Sequence, residues 1–377
     1  MARQTRRELL RLGVGAALGA TAAGFLGSCR RSLPPLKPPA EAAFCANVPA
    51  EIRSRVAAVR GTDLRAMTLQ ALKAIGGMES VVHPGETVFI KPNMVTLPWA
   101  SYSDPFQSGE CTKPDILVAA AEACLEAGAR SITIGDGSQQ SHFDWSAARL
   151  MAGSTNLAAE AERLSAKYGR SVKLACLDAD TTRWIEVPTK TSLRKVLVSN
   201  LVVEADRVIS VPVAKTHKWA RVTLSIKNFI GITPLEPYGC VGQASSYSRI
   251  LLHQNDMGPS SFNRLAIDLA KAAHPDLAII DFSIGLEGDG PSLRTGGSTV
   301  DVKTRLGSWL VLASKDLVAA DATAARIMGQ ESPYVDEDLS VAAEEGMGFP
   351  CERSIELIGD RLEALRMPWR SPQVALR

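Results

Sequence analysis

The segment Val211–Pro234, VPVAKTHKWARVTLSIKNFIGITP, gathers Lys215, His217, Lys218, Arg221 and Lys227 without one acidic side chain. Like charges held together raise one another's energy unless solvent or a bound anion offsets them. Anion recognition is the chemistry that suits such a cluster. Lysine supplies a compact positive charge, while asparagine side chains and backbone amides add directed hydrogen bonds. Lys215, Thr216, Lys227 and Asn228 are the candidates within the segment, and Lys91 with Asn93 supplies a further cation and amide from far upstream. A basic run is more often a solvated face, so this reading leans on Lys91 arriving at an equivalent position.

Proton transfer asks for a group that titrates near neutrality, and imidazole is the usual one. The chain has five histidines. His217 lies inside the basic segment and His253 shortly after it, so His217, His253 and Lys215 are the catalytic candidates. No H-x-H or H-x-x-x-H spacing occurs, and no metal site is read from them.

The elements that must position these residues alternate along the chain. Strands are expected at 86–90, 131–134, 172–176, 207–211, 277–280 and 309–312. Helices are expected at 62–75, 114–127, 156–167, 262–273 and 317–328, with Thr112 as the N-cap of the second and Asp316 as that of the last. This alternation predicts an α/β fold: a mainly parallel, Rossmann-like open sheet flanked by helices, with a long excursion around 235–260 that is either a lid or a surface feature.

Polar residues follow each strand: Lys91-Pro92-Asn93, Gly135-Asp136-Gly137, Lys215-Thr216-His217, Asp281, and Ser314-Lys315-Asp316. In an open parallel sheet the carboxyl ends of the strands share one edge, and ligands bind in the crevice there. Asp136 and Asp281 therefore join Lys91, Asn93, Thr216, Lys227 and Asn228 as ligand-binding candidates. Polar turn residues also belong at strand ends for structural reasons alone.

Composition narrows the partners. Apolar residues make up 46% and charged residues 22% of a 377-residue chain, as in ordinary globular proteins. The net charge of +2 argues against nucleic acid, whose phosphates select a strong basic excess. The start of the chain is set apart as a targeting segment. Thr5-Arg6-Arg7-Glu8-Leu9-Leu10-Arg11 is a twin-arginine pattern, followed by the apolar run 12–26, which is shorter than the ~20 residues of a spanning helix. Leu26-Gly27-Ser28-Cys29 resembles a lipobox, in which Cys29 is acylated after cleavage. The expectation is a signal over 1–29, a proline-rich tether over 30–50 and an α/β domain over 51–377, exported by the twin-arginine machinery to the periplasm or cell envelope and held to the membrane by lipid on Cys29. Of the seven cysteines none forms C-x-x-C, so no zinc ribbon or iron–sulfur loop is read. The glycine-rich turns fit neither G-x-G-x-x-G nor a Walker A loop, and G-x-S-x-G is absent. The cofactor is left unassigned.

Taken in order, Val88–Asn93, Thr112–Asp136, Lys215-Thr216-His217 with Thr223, Lys227-Asn228 and Gly231, Arg249–His253, Asp281–Pro291 and Asp316–Gly329 resemble the family named domain of unknown function 362, over residues 85–330. The family is mainly bacterial and archaeal and largely uncharacterised. Some members carry an iron–sulfur segment, which this chain lacks, so a redox role is not carried over. The resemblance implies functional positions at Lys91, Asn93, Lys215, Thr216, His217, Lys227, Asn228 and His253. Three functions are compatible with this reading: an enzyme moving a proton on a small carboxylate or phosphate compound, a lipoprotein that binds a solute or cofactor unchanged, and, last, a metal-dependent redox protein.

Overall fold

Near-continuous apolar runs give both faces of one large sheet something to bury, and helices cover each. The computed structural model describes residues 45, 48, 51–97, 104–151, 153–236, 238–239, 249, 251–252, 259–330 and 333–373. Its strands are β1 (Ser54–Gly61), β2 (Thr87–Pro92), β3 (Ser131–Asp136), β4 (Ser171–Cys176), β5 (Trp184–Pro188), β6 (Lys195–Ser199), β7 (Arg207–Val211), β8 (Val213–His217), β9 (Arg221–Thr223), β10 (Leu277–Gly288), β11 (Gly297–Asp301), β12 (Trp309–Ser314) and β13 (Ile355–Gly359). The longer helices are α1 (Leu64–Ala74), α2 (Pro114–Glu126), α3 (Leu157–Tyr168), α4 (Pro259–Ala273), α5 (Leu317–Ile327) and α6 (Pro333–Glu344).

The main sheet runs β13-β1-β12-β10-β7-β2-β3-β4, with β8 and β11 added to β10 and β9 added to β8. Strands β10, β7, β2, β3 and β4 are mutually parallel. Adjacent residues of a strand divide between two cores: Ala57, Val88 and Ile90 pack with α1, α2 and α3, whereas Val56, Phe89 and Ala278 pack with α4, α5 and α6. The expected α/β class, with a mostly parallel sheet between helices, is the one observed.

Three differences matter for the site. First, β12 is antiparallel to β10, pairing Ser314 with Ala278 at the start of β10. Ser314-Lys315-Asp316 therefore sits at the edge opposite the other strand ends. Asp316 does cap α5, accepting from the Ala319 amide at 2.8 Å, and it also accepts from Ser54 at the start of β1. Second, the residues expected as a loop after β7 form a strand of their own, β8, which pairs with the second half of β10. Third, β10 continues to Gly288, so Asp281 lies within the strand rather than at its end. The close approach of β8 and β10 explains Gly285, where a Cβ would stand 2.3 Å from the Ala214 carbonyl oxygen and 2.6 Å from the Trp369 ring.

Thr112 does not cap α2. Lys113 occupies that position, and Thr112 instead donates from Oγ1 to the Val211 carbonyl at 2.7 Å while accepting from the Asn93 amide at 3.0 Å. This one hydroxyl ties the end of β7 to the segment after β2. Cys45 and Cys351 form a disulfide, and Cys111, Cys124 and Cys176 are buried thiols. Cys29 and most of the 235–260 excursion, residues 240–248, 250 and 253–258 among it, lie outside the described residues.

Candidate functional site at the strand-end edge

Neighbouring parallel strands β2 and β3 end in Lys91-Pro92 and Asp136, which brings a cation and a carboxylate side by side. Lys91 Nζ pairs with Asp136 Oδ1 and donates to the Pro92 carbonyl at 2.8 Å. The other carboxylate oxygen accepts from the Met94 amide at 2.6 Å. Gly231 makes room for the pair: a Cβ there would lie 2.4 Å from Asp136 Oδ1 and 3.1 Å from Lys91 Nζ.

From Lys91 a chain of hydrogen bonds crosses the edge. Asn228 Nδ2 donates to the Lys91 carbonyl at 2.8 Å and to Ser210 Oγ at 3.2 Å, and its Oδ1 accepts from Asn93 Nδ2 at 3.4 Å. Asn93 Oδ1 then accepts from Lys215 Nζ at 3.0 Å, and Lys215 also donates to the Glu110 carbonyl at 2.7 Å. An ammonium only donates, so the Asn93 oxygen must face Lys215 and its amide nitrogen must face Asn228. The chain thereby fixes both amide orientations. It joins β2, β7, β8 and the short turn Lys227–Ile232, elements far apart in sequence.

The electrostatics of the edge are unusual. Lys91, Lys113 and Lys215 are almost wholly buried. Burial lowers the pKa of Lys91, which Asp136 partly restores, and that of Lys113, which Asp281 partly restores. Lys215 makes no ion pair with a carboxylate among the described residues. Burial brings its pKa down to about 8, with Lys113 pushing the same way against Cys111 and Glu110. Lys227, half-buried at its surface but enclosed by protein atoms, falls to about 7 through desolvation and repulsion from Lys215 and Lys91. Both amines therefore hold their protons less tightly than an unperturbed lysine. Asn93 and Lys227 are the half-buried members, so solvent reaches the cluster past them.

Of the residues expected to converge, Lys91, Asn93, Asp136, Lys215, Asn228 and Lys227 do so. Asp281 lies alongside, engaged with Lys113: its Oδ2 accepts from the Lys113 amide at 3.0 Å and lies 3.5 Å from Nζ, while its Oδ1 accepts from the Ser283 amide and hydroxyl. Thr216 points to the other face of β8 and donates to the Gly288 carbonyl at 2.7 Å, which fastens β8 to β10. His217 is buried, and its Nδ1 accepts from the Trp219 and Ala220 amides, both at 3.1 Å. That nitrogen is committed to closing a turn. Lys218 stacks over the Trp219 ring at 4.5 Å, so the basic segment does not act as one patch. His253 and Cys29 lie outside the described residues.

Sequence reasoning missed Glu110 and Lys113. The signal was a polar run, Glu110-Cys111-Thr112-Lys113, immediately before a helix that starts at the ligand-binding edge of the sheet. Glu110 is fully buried, and its carboxylate accepts from the Leu293 amide and the Thr96 and Ser108 hydroxyls.

A family model described as domain of unknown function (DUF362) matches residues 88–326, which contain every described member of this cluster. A thylakoid-associated protein of Synechocystis sp. is 25% identical over 318 residues, covering 81% of this chain and 82% of that protein. Among solved structures, the lactate racemase apoprotein of Thermoanaerobacterium thermosaccharolyticum aligns over 62% of this chain and 52% of its own, at 16% identity and a TM-score of 0.33. A protein from Thermotoga maritima aligns over 74% of this chain and 58% of its own, at 10% identity and a TM-score of 0.32. This chain thus spans little more than half the length of either structure.

The Lys91–Asp136 pair gives a direct test of the edge. Asp136→Ala leaves a buried ammonium without its counter-ion and is expected to cost ~3–5 kcal/mol of stability, read as a lower urea midpoint. Lys91→Met combined with Asp136→Leu removes both charges and is expected to recover most of that loss; equal losses in the two variants would contradict the electrostatic account.

Proposed function

The chain belongs to the domain-of-unknown-function family 362, and from that premise we propose that it binds a small carboxylate or phosphate anion at this edge and moves a proton on the bound ligand. One observation carries the reading: the Lys215 ammonium is buried, has no carboxylate partner among the described residues, and is held by Asn93 within reach of a second perturbed lysine. An anion entering past Asn93 and Lys227 offsets the repulsion that the fold otherwise carries. Lys215 and Asn93 then hold the ligand through charge-assisted and neutral hydrogen bonds. Lys227, whose pKa falls to about 7, takes the acid–base role first expected of the histidines, because a catalytic group is most effective when its pKa lies near the working pH.

The pH dependence follows from the direction of the shifts. Lys215 and Lys227 lie below their ordinary value of 10.5, so between about 7 and that value the unfolded chain holds more protons than the folded one. Without ligand, stability therefore rises with pH across this window. An anion favours the protonated lysines, so its binding is expected to be tightest near or below pH 7 and to weaken steadily above pH 8. Calorimetric titration with acetate, malonate and inorganic phosphate from pH 6.5 to 9.5 reads this directly. Lys215→Met is expected to weaken the best of them by roughly 10–100-fold, the loss of one hydrogen bond to a charged group. Affinity that ignores both pH and this substitution would sink the proposal. Incubating acetate and malonate in deuterium oxide and following their carbon-bound protons by NMR separates the two remaining readings: exchange next to the carboxylate faster than without protein marks catalysis, and exchange no faster than that marks a binding protein.

The same proposal includes an address. Twin arginines Arg6-Arg7 and Leu26-Gly27-Ser28-Cys29 support export and a lipid anchor, and the Cys45–Cys351 disulfide suits an oxidising compartment. The Synechocystis relative is named as thylakoid-associated. Cys29→Ala is expected to shift the protein from the membrane to the soluble fraction and to abolish incorporation of labelled palmitate; unchanged fractionation and no labelling of the parent chain would count against the anchor.

A further inference from the structure

Next to the lysine cluster lies a small cavity of ≈ 50 Å³, walled mainly by apolar side chains such as Val222, Leu224, Ile267 and Leu339, with Lys227, Asn263, Asp321 and Asp338 as its polar lining. Its volume is that of roughly two water-sized groups. Lys227 thus belongs to both places: it lines this mainly apolar cavity, and it feels the charges of Lys215 and Lys91. The turn that carries it is held from below. Asp321 on α5 accepts from the Ser225 amide at 2.8 Å, from the Ser225 hydroxyl, and from the Ile226 amide at 3.0 Å, so the two residues just before Lys227 are fixed to a buried helix. A lysine presented by a rigid turn, between an apolar recess and other cations, has the setting in which an amine acts as a nucleophile.

We infer that Lys227 condenses with the carbonyl carbon of a short-chain oxo acid, whose carboxylate is held at Lys215 and Asn93 and whose alkyl group enters the cavity beside Val222 and Leu339. This deepens the anion-binding proposal and rests on it. The step is redox-neutral. The Lys227 amine attacks the carbonyl carbon, a C–N bond forms, and the C=O π pair moves to oxygen, which takes a proton to give the carbinolamine. Protonation and departure of that oxygen as water leaves a protonated imine. The positive nitrogen then accepts electron density from the neighbouring carbon, which acidifies its C–H bonds; a proton lost there passes to water, and in the imine Lys227 serves as electron acceptor in place of the base. Asp321 is a positioning residue, since both its oxygens serve the turn. The lowered pKa of Lys227 is consistent with this role, because only the neutral amine attacks.

The test uses the full chain with pyruvate and sodium cyanoborohydride near neutral pH, followed by intact mass measurement and peptide mapping. One reduced pyruvate adduct, located on Lys227, is the expected result. Lys227→Met is expected to remove it while thermal melting reports that the variant is folded; if that variant does not fold, the map of the parent chain decides alone. Lys215→Met is expected to raise the pyruvate concentration needed for half-labelling by at least about 10-fold, the loss of one hydrogen bond to a charged group. Pyruvate that raises the melting temperature yet leaves no adduct, or adducts spread evenly over surface lysines, overturns the imine inference and leaves the anion site standing. Neither protection nor adduct overturns both.

Discussion

The interaction on which this structure depends is the burial of positive charge at one edge of its sheet. An ammonium taken out of water is costly unless a counter-ion and further hydrogen bonds meet it. The fold answers that demand three times in different ways. Lys91 receives Asp136 from the next strand, Lys113 receives Asp281 from within β10, and Lys215 receives only an amide oxygen and a carbonyl. Two of the three are neutralised, and the third is solvated by dipoles. Burial is the main reason that Lys215 and Lys227 give up protons at lower pH than an ordinary lysine, with repulsion from Lys113 adding to it at the first and from Lys215 and Lys91 at the second.

Maintaining this arrangement constrains the surrounding backbone. Asn228 and Asn93 orient each other only because the short turn after β9 is pressed against the ends of β2 and β7, and Gly231 permits that contact without a side chain in the way of Asp136. Strand β8 must lie close to β10 for Lys215 to reach Asn93, and Gly285 together with the Thr216 hydroxyl secures this closeness. Residues that looked like ligands in the sequence thus serve the scaffold: Thr216 locks two strands, and His217 Nδ1 closes the turn after β8.

Much of the plan was legible because it follows from periodicity. The apolar runs at β2, β3, β4, β7 and β12 and the helices between them were readable from spacing, and the rule that parallel strands share a ligand-binding edge placed Lys91, Asn93, Asp136 and Lys215 together. The same rule misplaced Ser314-Lys315-Asp316, because periodicity carries no information on strand direction, and β12 runs against its neighbour. Strands β1 and β13 were not expected: β13 is the outermost strand, half-buried along Ile355–Ile358 and without a strong apolar run, whereas β1 is buried along Val56–Val59 but its apolar run is short and flanked by arginines. Lys113 and Glu110 left only a polar run before α2 as a signal, because their role depends on which strand α2 begins beside. Asp281 looked like a strand end because its charge interrupts the apolar run, yet the strand continues and the carboxylate is neutralised from α2.

If Lys215 and Lys227 form a repelling pair that a bound anion relieves, NMR of their side-chain nitrogens reads it. In protein labelled with ¹⁵N at lysine Nζ, with Lys215→Arg and Lys227→Arg used to assign the two signals, the account predicts midpoints near 8 and near 7 without ligand. It predicts that both move upward when a saturating carboxylate or phosphate is added. Midpoints near 10.5 for both, unmoved by any small anion, would show two ordinary solvated lysines and contradict the account.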